Sequence, residues 1–380
     1  KLSRLVETGR ASKFIGEYSN DDEREAVLGE KVKQIGDVNK DGFPDAMFGH
    51  YRVMAGDTYP GIAYLIFGRS EKYPSEVDFS DLSQIPHIKF QQKVVMDDNT
   101  GMGAGFEPLG DVNGDGIDDF MLSAIFSTPT EILGIGETYI VYGREDWSIG
   151  DGQDAIITQA ELKASGITYQ GQYRIGQLGK NISNLGDVNH DGYVDVGITE
   201  TPSGDLNRIG RVHVLFGGDH WHSDHAGTVY QINDINNDNG LKRIEINGDT
   251  AGGLGYTMKG LSDFNDDGID DFVIVLNRSG VQFADKGVVV FFGRESAQWQ
   301  DSYTPDDFSI GNNFVIERVD NDNATNVGQD IAVGDFNGDG IKDLAVSTYG
   351  RISSENVTDF GGAISMYWGG RGSWPLSMTR

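Results

Sequence analysis

One nine-residue phrase is written five times along the chain: DVNKDGFPD at 37–45, DVNGDGIDD at 111–119, DVNHDGYVD at 187–195, DFNDDGIDD at 263–271 and DFNGDGIKD at 335–343. Successive copies start 74, 76, 76 and 72 residues apart. A period that regular marks a repeat architecture, in which each repeat is one supersecondary unit that buries its apolar faces against its neighbours.

The phrase has a chemistry of its own. Position 1 is Asp (Asp37, Asp111, Asp187, Asp263, Asp335) and position 3 is Asn (Asn39, Asn113, Asn189, Asn265, Asn337). Position 5 is Asp again (Asp41, Asp115, Asp191, Asp267, Asp339), and so is position 9 (Asp45, Asp119, Asp195, Asp271, Asp343). Oxygen donors in that number, with no His or Cys at a fixed place, favour calcium over zinc or copper. The glycine at position 6 permits a sharp turn that aims the position-7 carbonyl inward, adding Phe43, Ile117, Tyr193, Ile269 and Ile341 as backbone ligands. An EF-hand would need Glu at position 12, where this chain has Phe48, Leu122, Ile198, Ile274 and Val346. The loops therefore close early, on position 9, and about five calcium ions are expected.

Composition narrows the partners. A formal charge of −29 excludes nucleic acid and argues against attraction to anionic membranes. Five bound calcium ions would leave about −19. The absence of cysteine removes disulfides and thiol nucleophiles, and no apolar run reaches membrane-spanning length. A repeated oxygen-ligand site suits the millimolar calcium found outside cells, so a secreted or cell-surface protein is expected.

Each repeat carries four strand signals. The first strand starts at a glycine after an apolar residue (Gly29, Gly103, Gly179, Gly255, Gly328), seven or eight residues before the loop. The second strand follows the loop. The third is GIAYLIFG, GETYIVYG, GRVHVLFGG, GVVVFFG or GAISMYWGG, and the fourth is HIKFQQ, ITYQGQ, KRIEING or FVIERVD. Four short strands per ~75 residues, with turns between, predict an all-β fold: a β-propeller of five four-stranded blades in one domain, 1–380. After the fifth third-strand only ten residues remain. The N-terminal segment Ser12–Tyr18 is expected to supply the missing strand by pairing with Gly362–Trp368. Closure would remove the free sheet edges of an open array, and a monomer is expected.

With these features in place, the chain resembles the FG-GAP repeat family, the calcium-binding repeats of the integrin α-chain propeller and its bacterial relatives. The resemblance rests on Asp-x-Asn-x-Asp-Gly-x-x-Asp repeated at a fixed distance from an apolar-Gly pair, and it covers essentially the whole chain. The sequence departs from the family in having Leu-, Met- or Val-Gly for Phe-Gly, and in lacking Gly-Ala-Pro after the second strand. The resemblance implies the propeller, the metal sites and, more loosely, an adhesion-type function, because function lives in sites rather than folds.

Strands that alternate in direction put the calcium loops on one face and leave ligand recognition to the other, as the family also suggests. The loops between second and third strands on that other face carry Arg52, Arg208, Arg278 and Arg351, with Arg174 just past a fourth strand and Tyr51 and Tyr349 nearby. A guanidinium-lined mouth would grip carboxylates or sulfates, so an extracellular protein or glycan, acidic ones included, is the expected partner. The plainer reading is solvated arginines paired to nearby carboxylates. The alternative function is a propeller-based polysaccharide lyase or hydrolase, for which His50 beside Tyr51 and Arg52 is the best trio; a structural spacer is a third. DHWHSDH at 219–225 clusters His220, His222 and His225 around Trp221 and reads as an exposed loop on the calcium face, with zinc binding as its sharper reading. No G-x-S-x-G, H-E-x-x-H or P-loop is present.

Overall fold

The structure is a computed structural model that describes residues 5–6, 10–16, 28–50, 61–91, 100–147, 155–201, 209–233, 242–251, 254–255, 257–276, 286–308, 313–317, 325–350, 362–371 and 377–379. The backbone forms two compact units, Lys1–Gly179 with Trp221–Gln231, and Lys180–His220 with Ile232–Arg380.

In the first unit, β1 (Lys13–Ile15) precedes the strands of the first repeat, β2 (Lys31–Gly36), β3 (Asp45–His50), β4 (Ile62–Ile66), β5 (Glu76–Asp78) and β6 (His87–Gln91). The second repeat runs through β7 (Met102–Gly110), β8 (Asp119–Ala124), β9 (Glu137–Val141), β10 (Ala155–Thr158), helix α1 (Gln159–Ser165) and β11 (Ile167–Gln170). The third repeat comprises β12 (Leu178–Gly186), β13 (Asp195–Glu200), β14 (Ile209–Leu215), β15 (Val229–Gln231) and β16 (Arg243–Ala251). The fourth comprises β17 (Met258–Ser262), β18 (Asp271–Val275), β19 (Lys286–Phe291), β20 (Ser302–Tyr303) and β21 (Phe314–Glu317). The fifth has β22 (Thr325–Gly334), β23 (Asp343–Gly350), β24 (Ala363–Tyr367) and a terminal β25 (Ser377–Thr379).

All four expected strands appear in repeats one to four, joined antiparallel in sequence order. Each of those sheets also gains a fifth, parallel strand that the sequence did not reveal. β10 adds to β6, β15 to β11, β20 to β16 and β25 to β21. In every case the added strand lies in the connection following the next third-strand, so it ties one repeat to the sheet before it.

At the N-terminal end, strand β1 pairs parallel with β5, Phe14 opposite Val77. Among the described residues β24 pairs with β23 alone. The aromatic load of Phe14 fixes β1 where it is: its ring lies 5.2 Å from Phe48, 5.5 Å from Tyr73 and 6.1 Å from Phe79.

The cores lie between sheets. Residues of the first and second sheets, among them Met47, Leu65, Phe90, Phe120 and Tyr139, share one buried cluster in the first unit. In the second unit Val212, Ile246, Phe272 and Phe291 join the third and fourth sheets, and Val273, Val290 and Leu344 join the fourth and fifth. Strands covered on both faces need no polar side, which is why β8 and β18 are buried along their whole length and read as apolar runs after their opening aspartate.

Candidate functional site

The five acidic loops each join the first strand of a repeat to the second, and all five fold alike. The position-6 glycine has φ between +81° and +95° in every copy, a left-handed conformation open to glycine at little cost. Position 4 is left-handed too, occupied by Lys40, Gly114, His190, Asp266 and Gly338.

Those two reversals turn the side chains of positions 1, 3 and 5 back over the loop's own amides. The position-1 carboxylate accepts the position-6 N–H through Oδ2 at 2.8–2.9 Å and the position-5 N–H through Oδ1 at 2.8–3.1 Å. The position-3 amide oxygen accepts the same position-5 N–H. The position-5 carboxylate accepts the position-7 N–H through Oδ1 and the Asn Nδ2 of position 3 through Oδ2. Three oxygen-bearing side chains are thus gathered on each turn. Among the described residues no group of three or more His, Asp or Glu side chains converges as a metal cluster.

Position 9 behaves differently. Asp45, Asp119, Asp195, Asp271 and Asp343 are wholly buried. One oxygen of each accepts the position-2 N–H at 2.8–3.0 Å. The other accepts the N–H of the glycine two residues past the third strand, Gly68, Gly143, Gly217, Gly293 or Gly369, at 2.7–2.9 Å. This carboxylate therefore fastens the loop to the third strand, a role the spacing did not disclose. Burial pushes the carboxyls of Asp45 and Asp119 up to about 7 and those of Asp195 and Asp271 up to about 8, against the lowering pull of the amides that bond them, two at the first three and three at Asp271.

A second set of residues holds the loops from outside. Trp147 Nε1 donates to the Val38 carbonyl at 3.0 Å and Trp299 Nε1 to the Val188 carbonyl at 3.3 Å. Each carries an arginine over its ring, Arg144 and Arg294, at 4.4 Å. Trp221 is buried in the same sequence position, its Nε1 donating to the Tyr169 hydroxyl at 2.8 Å. The signal was available: Tyr73, Trp147, Trp221 and Trp299 are spaced 74, 74 and 78 residues apart.

The DHWHSDH segment is accordingly not an exposed loop throughout. It forms two short turns, Asp219–Trp221 and Ser223–His225. Tyr142 donates its hydroxyl to the carbonyls of Trp221 and His222, and Tyr193 donates to Asp219 Oδ1 at 2.7 Å. His220 and His222 are half-buried and His225 is exposed, 3.8 Å from Asp224.

Of the residues expected to line the mouth, Arg174 is exposed in the connection from β11 to β12, and Tyr349 lies in β23 opposite Asn326. Tyr51, Arg52, Arg208, Arg278 and Arg351 lie outside the described residues. His50 is buried at the end of β3, and burial pushes its imidazole down to about 4.

Residues 327–365, spanning most of β22 through β24, match the sequence profile of the FG-GAP repeat. No curated protein matches the chain. Among the described residues no helix is long and apolar enough to cross a membrane.

Proposed function

We propose that the chain is a calcium-stabilised recognition module of the integrin-like FG-GAP type, acting outside the cell and binding a protein or glycan on the face opposite its acidic loops. The observation that carries this reading is the five-fold recurrence of one turn with three oxygen-bearing side chains gathered over it. That donor set fits calcium: positions 1, 3 and 5 and the position-7 carbonyl would hold the ion. The Oδ1 of each position-9 carboxylate accepts a single amide and keeps a second lone pair. Calcium would supply the positive charge that the clustered carboxylates lack, and the loops would then act as rigid ties between strands.

The fold we propose is a single five-bladed propeller with β1 as the fourth strand of the fifth blade. The parallel pairs support this. β1 stands to β5 as β6 stands to β10, β11 to β15, β16 to β20 and β21 to β25, and in the last four pairs the first member is a fourth strand. The fifth repeat lacks a fourth strand among the described residues, and its β24 leaves Ile364 71% exposed, an apolar edge of the kind natural sheets cover.

For recognition, arginine is the apt residue, since its planar fork matches carboxylate and sulfate. Short-range contact can prevail over the overall negative charge because salt screens beyond about 8 Å. The test is an array of acidic and neutral polysaccharides and acidic peptides, read for binding and for release of unsaturated products. Binding that is lost when Arg278 and Arg351 are both replaced by Ala supports the reading. Undiminished binding by that double variant contradicts the arginine mouth, and release of products contradicts a purely binding role.

A further inference from the structure

Two of the five loops reach into a neighbour with a carboxylate. Asp118, position 8 of the second loop, accepts the backbone N–H of Asp37 through Oδ2 at 2.8 Å, and its own N–H donates to the Asp37 carbonyl at 3.4 Å. Asp270, position 8 of the fourth loop, does the same to Asp187, at 2.9 and 3.3 Å. Asp37 and Asp187 are position 1 of the first and third loops, the residues whose carboxylates organise those turns.

The approach is built for. Gly36 and Gly186 precede the receiving residues, and a Cβ on either would stand 2.4 Å from Asp118 Oδ2 or 2.1 Å from Asp270 Oδ2. Elsewhere the carboxylate is missing, although a glycine still precedes the second and fifth loops, at Gly110 and Gly334. Position 8 is Pro44, Val194 or Lys342 in the other loops, none with a carboxylate, and the residue before the fourth loop is Ser262.

Resting on the calcium reading above, we infer that the loops take up calcium as two coupled pairs, first with second and third with fourth, and that the fifth loop binds alone. An ion in the third loop orders Asp187 and so fixes the N–H that Asp270 accepts; an ion in the fourth loop orders the segment carrying Asp270. Each binding event thereby removes part of the ordering cost of the other. The Asp270 carboxylate also lies between the two loops, where its charge offsets the repulsion of one cation by the next. Coupling of this kind is reciprocal, so a lesion in either loop weakens both. Asp118 and Asp270 are thus positioning residues for a neighbour's ion.

Tyr193, at position 7, gives the third loop its own reporter. Terbium titrated into calcium-free protein emits by transfer from a nearby aromatic ring, and the emission lost in Asp191→Ala belongs to the third loop. Asp267→Ala in the fourth loop and Asp270→Ala at the bridge are each expected to weaken terbium binding at the third loop about tenfold. Asp270→Asn keeps an acceptor oxygen and is expected to lose less. Asp339→Ala in the fifth loop and Asp118→Ala are expected to leave the third loop unchanged. Equal affinity in wild type, Asp267→Ala and Asp270→Ala would overturn the coupling while leaving the metal sites standing. Equal weakening by Asp118→Ala would also overturn the pairing. Absence of any emission assignable to Asp191 in the wild type would overturn the metal reading itself, and the coupling with it.

Discussion

Asp45, Asp119, Asp195 and Asp271 hold their carboxyls in the interior with backbone amides as their hydrogen-bond partners, and burial raises all four to about 7 or 8 from an ordinary 3.8. The position-1 and position-5 carboxylates of the same loop add to the rise. A carboxyl whose folded value lies above its unfolded value binds its proton more tightly in the folded state. Its stabilising contribution is therefore complete below about pH 4 and is lost as pH rises through about 7 to 8. Calcium-free protein is expected to melt at progressively lower temperature from pH 5 to pH 8.5 as these groups are forced to ionise. A cation beside the position-9 carboxylate favours its ionised form, so saturating calcium should flatten that slope. Calorimetric scans across this pH range, with and without calcium, measure both slopes; parallel slopes would count against calcium near position 9.

The strands and their connectors differ in how openly the sequence announces them. Second strands such as β8 and β18 run mostly apolar after their opening aspartate, and the acidic turns before them are marked by Asn, Asp and Gly, so both were legible. The parallel strands β5 and β20 were not, because three residues and two residues are too short to show any periodicity and their partners are remote in sequence. Spacing makes the position-9 aspartates ligands alone, because it cannot tell a carboxylate that faces the loop from one that faces the core. The His, Asp and Ser neighbours of Trp221 mask its burial in the sequence. Its ring is anchored with the other periodic aromatics, of which Trp147 is the best described: it packs on Phe67, Phe90 and Phe120 and bonds the Val38 carbonyl. Replacing Trp147 with Ala should cost about 3–5 kcal/mol of unfolding free energy, measured by denaturant titration. A loss below about 1 kcal/mol would mean that this ring is not a structural tie.

For the whole molecule, the proposed ring makes β1 more than a local strand. Deleting residues 1–16 removes the Phe14 contacts with Phe48, Tyr73 and Phe79 and, in a closed ring, would expose β24. The truncated protein should lose cooperative unfolding or associate through that edge, as followed by calorimetry and light scattering. A monodisperse product with a native-like melt would argue for an open array of sheets. The central claim, that five acidic turns are calcium sites and that the ions hold the fold, is tested most directly by counting the metal and removing it. Calcium at 100 times its dissociation constant stabilises the folded chain by about 2.7 kcal/mol per site. Elemental analysis of dialysed protein, paired with thermal melts before and after chelation, should give about five calcium ions per chain and a substantially lower midpoint that calcium alone restores. A chain that retains no calcium and melts at the same temperature in chelator would contradict the claim.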